Sequence, residues 1–284
     1  MSGRIAVDRS AGERTASIVI DHPERENAIT PRMAAQFCEA LTALERDDAV
    51  KVVVIKGAGA NLTSGADLTA VAQRFAPPDG EAKKPLSQRA RFADADLWWG
   101  RAGLFGRVLY CPKITIVAAH GKCHGAGLHL ALYADLAIAS ATAAFAMPEW
   151  RHAGVNGDLS MLVAAVGLKR AKELVYWGRE WDAATAMSHG LVNAVVASDR
   201  HDAATAELAQ CCAMIMRDAV AAEKQVVRAA LARMQVETGL AAAAVVGAWG
   251  TNIHFRQGEF NLLRAAKHDG LDAAVAAGAE HFAD

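Results

Sequence analysis

Residues Lys113–Leu132 read Lys-Ile-Thr-Ile-Val-Ala-Ala-His-Gly-Lys-Cys-His-Gly-Ala-Gly-Leu-His-Leu-Ala-Leu, and they predict a buried strand, a glycine-rich turn and a buried helix in direct succession. The apolar, β-branched run Ile114–Val117 is typical of a strand covered on both faces. A turn that leads into a helix presents unpaired N–H groups and the positive end of the helix dipole, and both favour binding of an anionic oxygen. His129 lies in the first turns of this helix, within reach of such a ligand. The glycines serve equally well in a tight turn or at a close packing contact, so both readings stay open at this point.

The sequence on either side alternates strands and helices, which predicts an α/β fold. Thr30-Pro31 has the residues of a helix cap and first helical position, and an apolar face follows at helical spacing. The expected strands are 17–20, 50–55, 114–117, 137–139, 144–146 and 191–196. From about His201 the pattern is helical only, with helices expected over 202–216, 220–234, 240–253 and 269–282. We therefore place a boundary near residue 200, with 1–200 as the core and 201–284 as a C-terminal helical region.

Composition excludes several classes of protein. The chain of 284 residues is 53% hydrophobic and 21% charged, as in ordinary globular proteins, and its formal net charge of −1 gives no reason to expect a nucleic-acid partner. No apolar run reaches the roughly 18 residues of a membrane span, and the first residues lack the apolar segment of a signal peptide. The five cysteines contain no CxxC pair. We interpret them as reduced thiols of a cytoplasmic protein and expect no metal site.

Several motifs recur in an order that resembles the enoyl-CoA hydratase/isomerase (crotonase) superfamily. They are Asn27-Ala28, Ser64-Gly65-Ala66-Asp67-Leu68, His124-Gly-Ala-Gly-Leu-His129, Met147-Pro148-Glu149 and Gly190-Leu-Val-Asn193. The resemblance covers roughly residues 5 to 230. It implies a spiral of ββα units with two roughly perpendicular sheets, followed by C-terminal helices that pack on neighbouring subunits. Relatives are usually homotrimers or hexamers built as dimers of trimers.

The resemblance also implies how a substrate is held. In that family two backbone N–H groups polarise the thioester carbonyl of an acyl-CoA, and the matching groups here belong to Ala66 and Ala126. Loss of one such donor typically raises the barrier by about 3 kcal/mol. Coenzyme A enters as part of the substrate, and no other cofactor is implied. The residues expected to contact the substrate are Gly65, Asp67, Leu68, Gly125, Arg25 and Trp98.

Two carboxylates act in hydratases of this family, and this sequence keeps one of them. Glu149 matches the second, and we expect it on a strand-to-loop edge where partial burial raises its pKa and suits it to acid–base catalysis; an exposed loop glutamate is the alternative. The first is replaced by His129, whose ordinary pKa of about 6.5 also suits a base. Paired with Glu149, His129 would form a dyad that activates water for hydration, or for hydrolysis of a thioester or C–C bond. Alternatively it fills space, and Glu149 alone would isomerise a double bond.

Other positions depart from the family pattern. The segment 150–158 is short, and we expect Asp158 to cap the helix that follows and His152 to lie at the surface or behind the site. Relatives often end in a Lys-Arg pair that binds CoA phosphates, whereas this chain has Ala277-Gly-Ala-Glu-His-Phe282, which leaves Arg25 and Lys122 as candidate phosphate contacts. The loop 76–85 is a candidate lid of the acyl pocket. The candidate wall consists of Phe92, Leu97, Trp98 and Trp99, which are equally natural core residues.

Other functions remain in competition with an acyl-CoA hydratase or isomerase. Gly125-x-Gly127 after a strand also suggests a dinucleotide-binding turn with Glu149 about 20 residues on, but Leu130 stands where the third glycine belongs. The missing glutamate is compatible with a non-catalytic acyl-CoA binding protein. A serine hydrolase lacks support because the chain has no GxSxG elbow.

Overall fold

The structure is a computed structural model, and it describes residues 3–9, 14–75, 87–152, 157–250, 255–256 and 258–283. Its large sheet has six strands in the order β1-β2-β3-β4-β6-β9. These strands are β1 Arg4–Asp8, β2 Thr15–Asp21, β3 Val52–Gly57, β4 Ile114–Ala119, β6 Leu136–Ser140 and β9 Ala194–Val196. β1 and β2 are antiparallel and all other neighbours are parallel. The last strand is shorter than predicted, because Leu191 N donates to Ala186 O and so belongs to the turn that closes the preceding helix.

A smaller sheet of three strands continues the path of the chain. It consists of β5 Lys122–His124, β7 Ala144–Ala146 and β8 Trp181–Asp182, in the order β5-β7-β8. Twice the chain places a strand in the large sheet, then a strand in the small sheet, then a helix: β4 and β5 lead to α5 (Ala126–Tyr133), and β6 and β7 lead to α6 (Glu149–His152). The predicted α/β spiral of ββα units is therefore confirmed.

The helices lie on both faces of the large sheet and in the C-terminal region. The remaining helices are α1 Pro31–Arg46, α2 Leu68–Phe75, α3 Gln88–Trp99, α4 Leu104–Leu109, α7 Ser160–Val166, α8 Leu168–Lys172, α9 Ala183–Ser188, α10 His201–Ala213, α11 Arg217–Arg233, α12 Val236–Gly250, α13 Leu262–Asp269 and α14 Leu271–His281, with a π-helical turn at Glu173–Trp177. α1 is capped by Thr30 as predicted, since its side chain accepts a hydrogen bond from Met33 N. The helix predicted at about 269–282 is confirmed as α14, whereas α13 was not predicted; Gly270, with φ +85°, separates the two.

The C-terminal helices share the core with the sheet. Ala209 and Cys212 of α10 pack against Val54 and Ile116, on one face of the large sheet. On the other side, Leu240 of α12 belongs to the main core. In the described part of the chain no single helix is long and apolar enough to cross a membrane; α11 and α12, bent by 64° at their junction, reach that length and composition only together. The division at residue 200 stays a prediction about organisation.

Candidate active site

The first glycine-bearing turn follows β3 and is held by buried polar side chains. Asn27 is fully buried, and its Nδ2 donates to the carbonyl oxygens of Ala58 and Asn61, each at 2.7 Å. Thr63 Oγ1 donates to Asn27 O at 2.6 Å and accepts from Gly65 N. Gly65 adopts φ +110°, which L side chains rarely adopt. The turn therefore presents the N–H of Ala66, which donates to no other described residue.

The second turn lies between β5 and α5 and meets the first. Gly125 adopts φ +49° and ψ −103°, and Ala126 is the first residue of α5, where an N–H has no acceptor within the helix. A methyl group built on Gly65 would lie 3.9 Å from Ala126 N. Neither Ala66 N nor Ala126 N donates to a residue in the described ranges. The structure thus brings together two unpaired backbone donors, as the motif order predicts.

Glu149 lies against the second turn. It is the first residue of α6, a one-turn helix, so the predicted strand-to-loop edge is wrong: β7 already ends at Ala146. A methyl group on Gly125 would lie 3.2 Å from its Oε2. Its Oε1 is buried with no hydrogen-bond partner in the described chain. Burial raises the pKa of Glu149 to about 7, which its own backbone N–H opposes only weakly.

His129 is almost completely buried, with 1% of its surface exposed. Its Nδ1 lies 2.8 Å from Gly125 O, and because a carbonyl only accepts, we assign the proton to Nδ1. Nε2 is buried and has no hydrogen-bond partner among the described residues. Burial lowers the pKa of His129 to about 4, although the carbonyls of Gly125 and Asp158 and the Asp158 carboxylate oppose this. The imidazole is therefore neutral, with an unused acceptor nitrogen.

The dyad predicted between His129 and Glu149 is not formed. His129 uses Nδ1 on Gly125 O, while its Nε2 and the Glu149 Oε1 are both unpartnered. Gly125 separates the two side chains, since its carbonyl contacts the imidazole and its Cα faces the carboxylate. The physical reason is local: an i to i+4 contact within α5 is available to His129 without any movement of α6.

The predicted substrate contacts beside the first turn have partners inside the chain. The buried Asp67 accepts from Ala70 N at 2.9 Å, which makes it the cap of α2. Arg25 donates to Thr69 Oγ1 and lies 4.0 Å from Asp67 Oδ1. Lys122 Nζ is 2.6 Å from Glu26 Oε1. Leu68 is partly exposed at the start of α2. These positions border the Ala66 turn, but Asp67 has a structural use that the sequence pattern did not reveal.

The aromatic residues of α3 divide between core and surface. Trp99 is buried and its ring meets that of His129 edge-on, with 4.8 Å between centroids. Trp98 is half-buried, with its ring 6.3 Å from that of Phe105, and Leu97 is half-buried beside it. Phe92 is exposed, which does not support its predicted place in a pocket wall. The predicted lid 76–85 lies outside the described residues.

Asp158 has a second partner that the sequence pattern did not predict. Asp158 accepts from Ser160 N at 2.8 Å, as predicted for a helix cap, but it also accepts a hydrogen bond from the buried Tyr133 hydroxyl. The rings of Tyr133 and His129 are stacked 6.4 Å apart. The signal was available, because four residues separate them on one helix and so place them on one face. The side chain of His152 lies outside the described part.

Comparisons with known proteins show the family to which the chain belongs. A family model for enoyl-CoA hydratase/isomerase matches residues 11–259. The chain is 35% identical over 223 residues to the probable enoyl-CoA hydratase EchA14 of Mycobacterium tuberculosis, covering 78% of this chain and 80% of the relative. It is 30% identical to 4-chlorobenzoyl coenzyme A dehalogenase-2 of an Arthrobacter species, covering 72% and 71%. The crystal structure of an enoyl-CoA hydratase/isomerase from Xanthobacter autotrophicus Py2 superposes with a TM-score of 0.80, at 31% identity and 97% coverage of both chains. The protein therefore belongs to the enoyl-CoA hydratase/isomerase family.

Proposed function

We propose that the protein converts acyl-CoA thioesters through an enolate, with the N–H groups of Ala66 and Ala126 as the oxyanion hole and Glu149 as the acid–base residue. The observation that carries this proposal is the position of the Glu149 carboxylate beside Gly125, the residue directly before Ala126: its Oε2 lies 3.2 Å from where a methyl group on Gly125 would stand. A thioester oxygen held at Ala126 N brings the carbons beside the carbonyl toward that carboxylate. Donors fixed in advance at the developing negative charge are the strongest catalytic device available to such a site.

The pKa of Glu149 and its unpartnered carboxylate oxygen support a role in proton transfer. Its pKa of about 7 lets the carboxyl group accept and release a proton near neutral pH. Its unpartnered Oε1 leaves an acceptor enclosed in protein, and buried polar atoms in that state commonly mark a functional site. The proposal invokes no metal ion or redox cofactor, because two N–H donors and one carboxylate supply both charge stabilisation and proton transfer.

Isomerisation of a double bond is the reaction that these groups support best. Glu149 removes a proton from C2 of a 3-enoyl-CoA, the electrons move to the thioester oxygen, and the same carboxyl group returns the proton at C4 to give the 2-enoyl-CoA. Only one basic group is needed. The alternative base, His129, has a pKa of about 4 and is therefore a weak one.

Hydration of a 2-enoyl-CoA is the second candidate, and a specific observation favours it. Nε2 of His129 is a buried acceptor without a partner. A water molecule that donates one hydrogen bond to Nε2 would be oriented by the imidazole while Glu149 takes its other proton; the hydroxyl adds to C3, and the same carboxyl group then returns the proton to C2 of the enolate. Here His129 positions the nucleophile and is not its base. A hydrolase that depends on a His129–Glu149 dyad loses its support, since the dyad is not formed.

The test is turnover of crotonyl-CoA and of a 3-enoyl-CoA, followed by the absorbance of the conjugated thioester, for wild type, Glu149→Gln and His129→Ala. We expect Glu149→Gln to lose roughly 100- to 10,000-fold in kcat with acyl-CoA binding retained. Isomerisation should survive His129→Ala. The matched control is His120→Ala, since His120 also bonds a carbonyl through Nδ1, that of Ala118, but packs beside His201.

The outcomes separate the candidates. If His129→Ala loses hydration but keeps isomerisation, we assign hydration, and not isomerisation, as the principal reaction of the wild-type protein. Full activity of Glu149→Gln removes Glu149 from the mechanism. If wild type binds acyl-CoA of several chain lengths and converts none, the protein is a non-catalytic binder and the proposal fails.

We also propose a homotrimer or a dimer of trimers. Large apolar side chains are exposed on the C-terminal region, among them Met214 at 76%, Met216 at 73%, Val226 at 71% and Trp249 at 67%. Several large apolar side chains exposed in one region of a chain are typical of a surface that another subunit covers. Light scattering coupled to size-exclusion chromatography tests this, and a stable monomer at micromolar concentration contradicts it.

A further inference from the structure

The C-terminal segment that replaces the Lys-Arg pair of relatives reaches the helix that carries Glu149. Phe282 directly follows α14, and Arg151 lies in α6. Arg151 Nη1 donates to Phe282 O at 3.2 Å, and the guanidinium covers the Phe282 ring at 5.1 Å from its centroid. The segment thus meets α6 through both its backbone and its ring.

The same guanidinium is held on a second side. Nη2 of Arg151 donates to the carbonyl oxygen of Trp177, at the end of the π-helical turn. The following residue, Gly178, has φ +64°, and a methyl group there would lie 2.2 Å from Nε of Arg151. The arginine therefore occupies a space that only glycine leaves open. A planar group with a fixed fork of donors suits such a contact to two carbonyls and one ring.

α6 needs contacts of this kind to keep its position. It has four residues, and a single helical turn is unfavourable on its own, so tertiary contacts must hold it. Arg151 lies two residues after Glu149 within that turn. Its three contacts, with Phe282 O, the Phe282 ring and Trp177 O, fix the turn to two distant parts of the chain.

We propose that Arg151, clamped between Trp177 and Phe282, is a positioning residue that sets where the Glu149 carboxylate lies, so that the C-terminal segment takes part in shaping the active site. This rests on the proposed function only in assigning proton transfer to Glu149. The segment Ala277–Phe282 lacks the phosphate-binding pair of relatives. Through Phe282 it instead helps to hold the helix that carries Glu149.

The effect of moving the Glu149 carboxylate can be distinguished from the effect of a changed charge near it. The pKa of Glu149 is raised by burial and lowered by its own backbone N–H, and no charged side chain in the described ranges contributes. The ionisable group across Gly125 is His129, which is neutral. A change in the titration of Glu149 on altering Arg151 must therefore come from movement of the carboxylate into water.

The experiment compares full-length Arg151→Lys and Phe282→Ala with wild type. Lysine keeps the charge but cannot bond both carbonyls and stack on the ring. We expect kcat to fall roughly tenfold with KM within about twofold, because a small misplacement of a catalytic group is costly. The acid limb of the kcat/KM profile should shift to lower pH. The matched control is Arg179→Lys, since the Arg179 guanidinium lies 3.7 Å over the ring of the same Trp177.

A second readout needs no turnover. The carboxyl ¹³C signal of Glu149, identified by its disappearance in Glu149→Gln, is titrated in each variant without substrate. We expect its midpoint to move from about 7 toward the ordinary glutamate value in Arg151→Lys and Phe282→Ala, but not in Arg179→Lys. An unchanged midpoint in both variants overturns the positioning proposal, whether or not the enzyme turns over. Full activity of Glu149→Gln instead overturns the proposed function.

Discussion

Nδ1 of His129 donates a hydrogen bond to the carbonyl oxygen of Gly125 at 2.8 Å, so the histidine is held by the glycine of the turn between β5 and α5. The Cα of that same glycine faces the carboxylate of Glu149. One residue thus separates a neutral imidazole from a carboxyl group with a pKa near neutrality. Four predictions follow from the geometry around this residue and around the helix α12.

His129 should remain neutral well below the ordinary histidine pKa. Its folded pKa of about 4 lies below the unfolded value of about 6.5, so its contribution to stability is present above pH 6.5 and is lost as pH falls through 4. ¹⁵N NMR of the ring at pH 5.5 should show the neutral tautomer protonated at Nδ1. An imidazolium spectrum at that pH contradicts the assignment. His281, at the exposed end of α14, is the internal comparison.

Glu149 should make the protein less stable at alkaline pH. Its folded pKa of about 7 exceeds the unfolded value, so the stability it contributes is present below about pH 4.5 and is lost as pH rises through 7. Glu149→Gln should therefore raise the free energy of unfolding by roughly 3 kcal/mol at pH 8.5 and by less than about 1 kcal/mol at pH 5. Urea unfolding at both pH values measures this. An equal effect at the two pH values would show that the carboxyl group is not shifted.

Gly125→Ala should damage the site more than the backbone strain alone explains. The substitution strains φ +49° and places a methyl group 3.2 Å from Glu149 Oε2, so the carboxylate must move. We expect kcat to fall by about 100-fold or more. Gly167→Ala is the matched control, because Gly167 has φ +81° with no atom within 4 Å. Similar kinetics for the two variants would remove the link between Gly125 and Glu149.

Two glycines of α12 should respond oppositely to alanine. A methyl group on Gly239 would lie 2.0 Å from Ser160 Oγ and 2.8 Å from Asp158 Oδ1, whereas one on Gly247 would lie 3.6 Å from Ala95 Cβ. Gly239→Ala should destabilise the protein by roughly 1–3 kcal/mol through overpacking. Gly247→Ala should be neutral or stabilising by up to about 1 kcal/mol, because alanine favours the helix. Thermal unfolding decides the sign, and a tolerated Gly239→Ala would show that α12 does not press on the Asp158 turn.

Local features of the fold follow from the sequence because they depend on neighbouring residues. The strand, turn and helix of 113–132, the Thr30 cap and the short strands predicted at 137–139 and 144–146 all follow from periodicity and capping rules. Helix α13 and the one-turn helix α6 at Glu149 were not predicted. A glycine in a helical pattern breaks the helix only if its backbone leaves the helical region, and the sequence does not report that angle; Gly270 does so, with φ +85°.

The sequence by itself determined the family, the α/β spiral and the identity of the chemical groups, since motif order and hydrophobic period are written along the chain. Only the tertiary structure decided which of those groups remain unpaired. Asp67 caps α2, Asp158 also accepts a hydrogen bond from the Tyr133 hydroxyl, Arg25 and Lys122 are paired with carboxylates, and Nδ1 of His129 bonds Gly125 O. The physical reason is that burial and hydrogen bonding depend on segments far apart in sequence. The same burial that raises the pKa of Glu149 depends on packing that no local pattern reports.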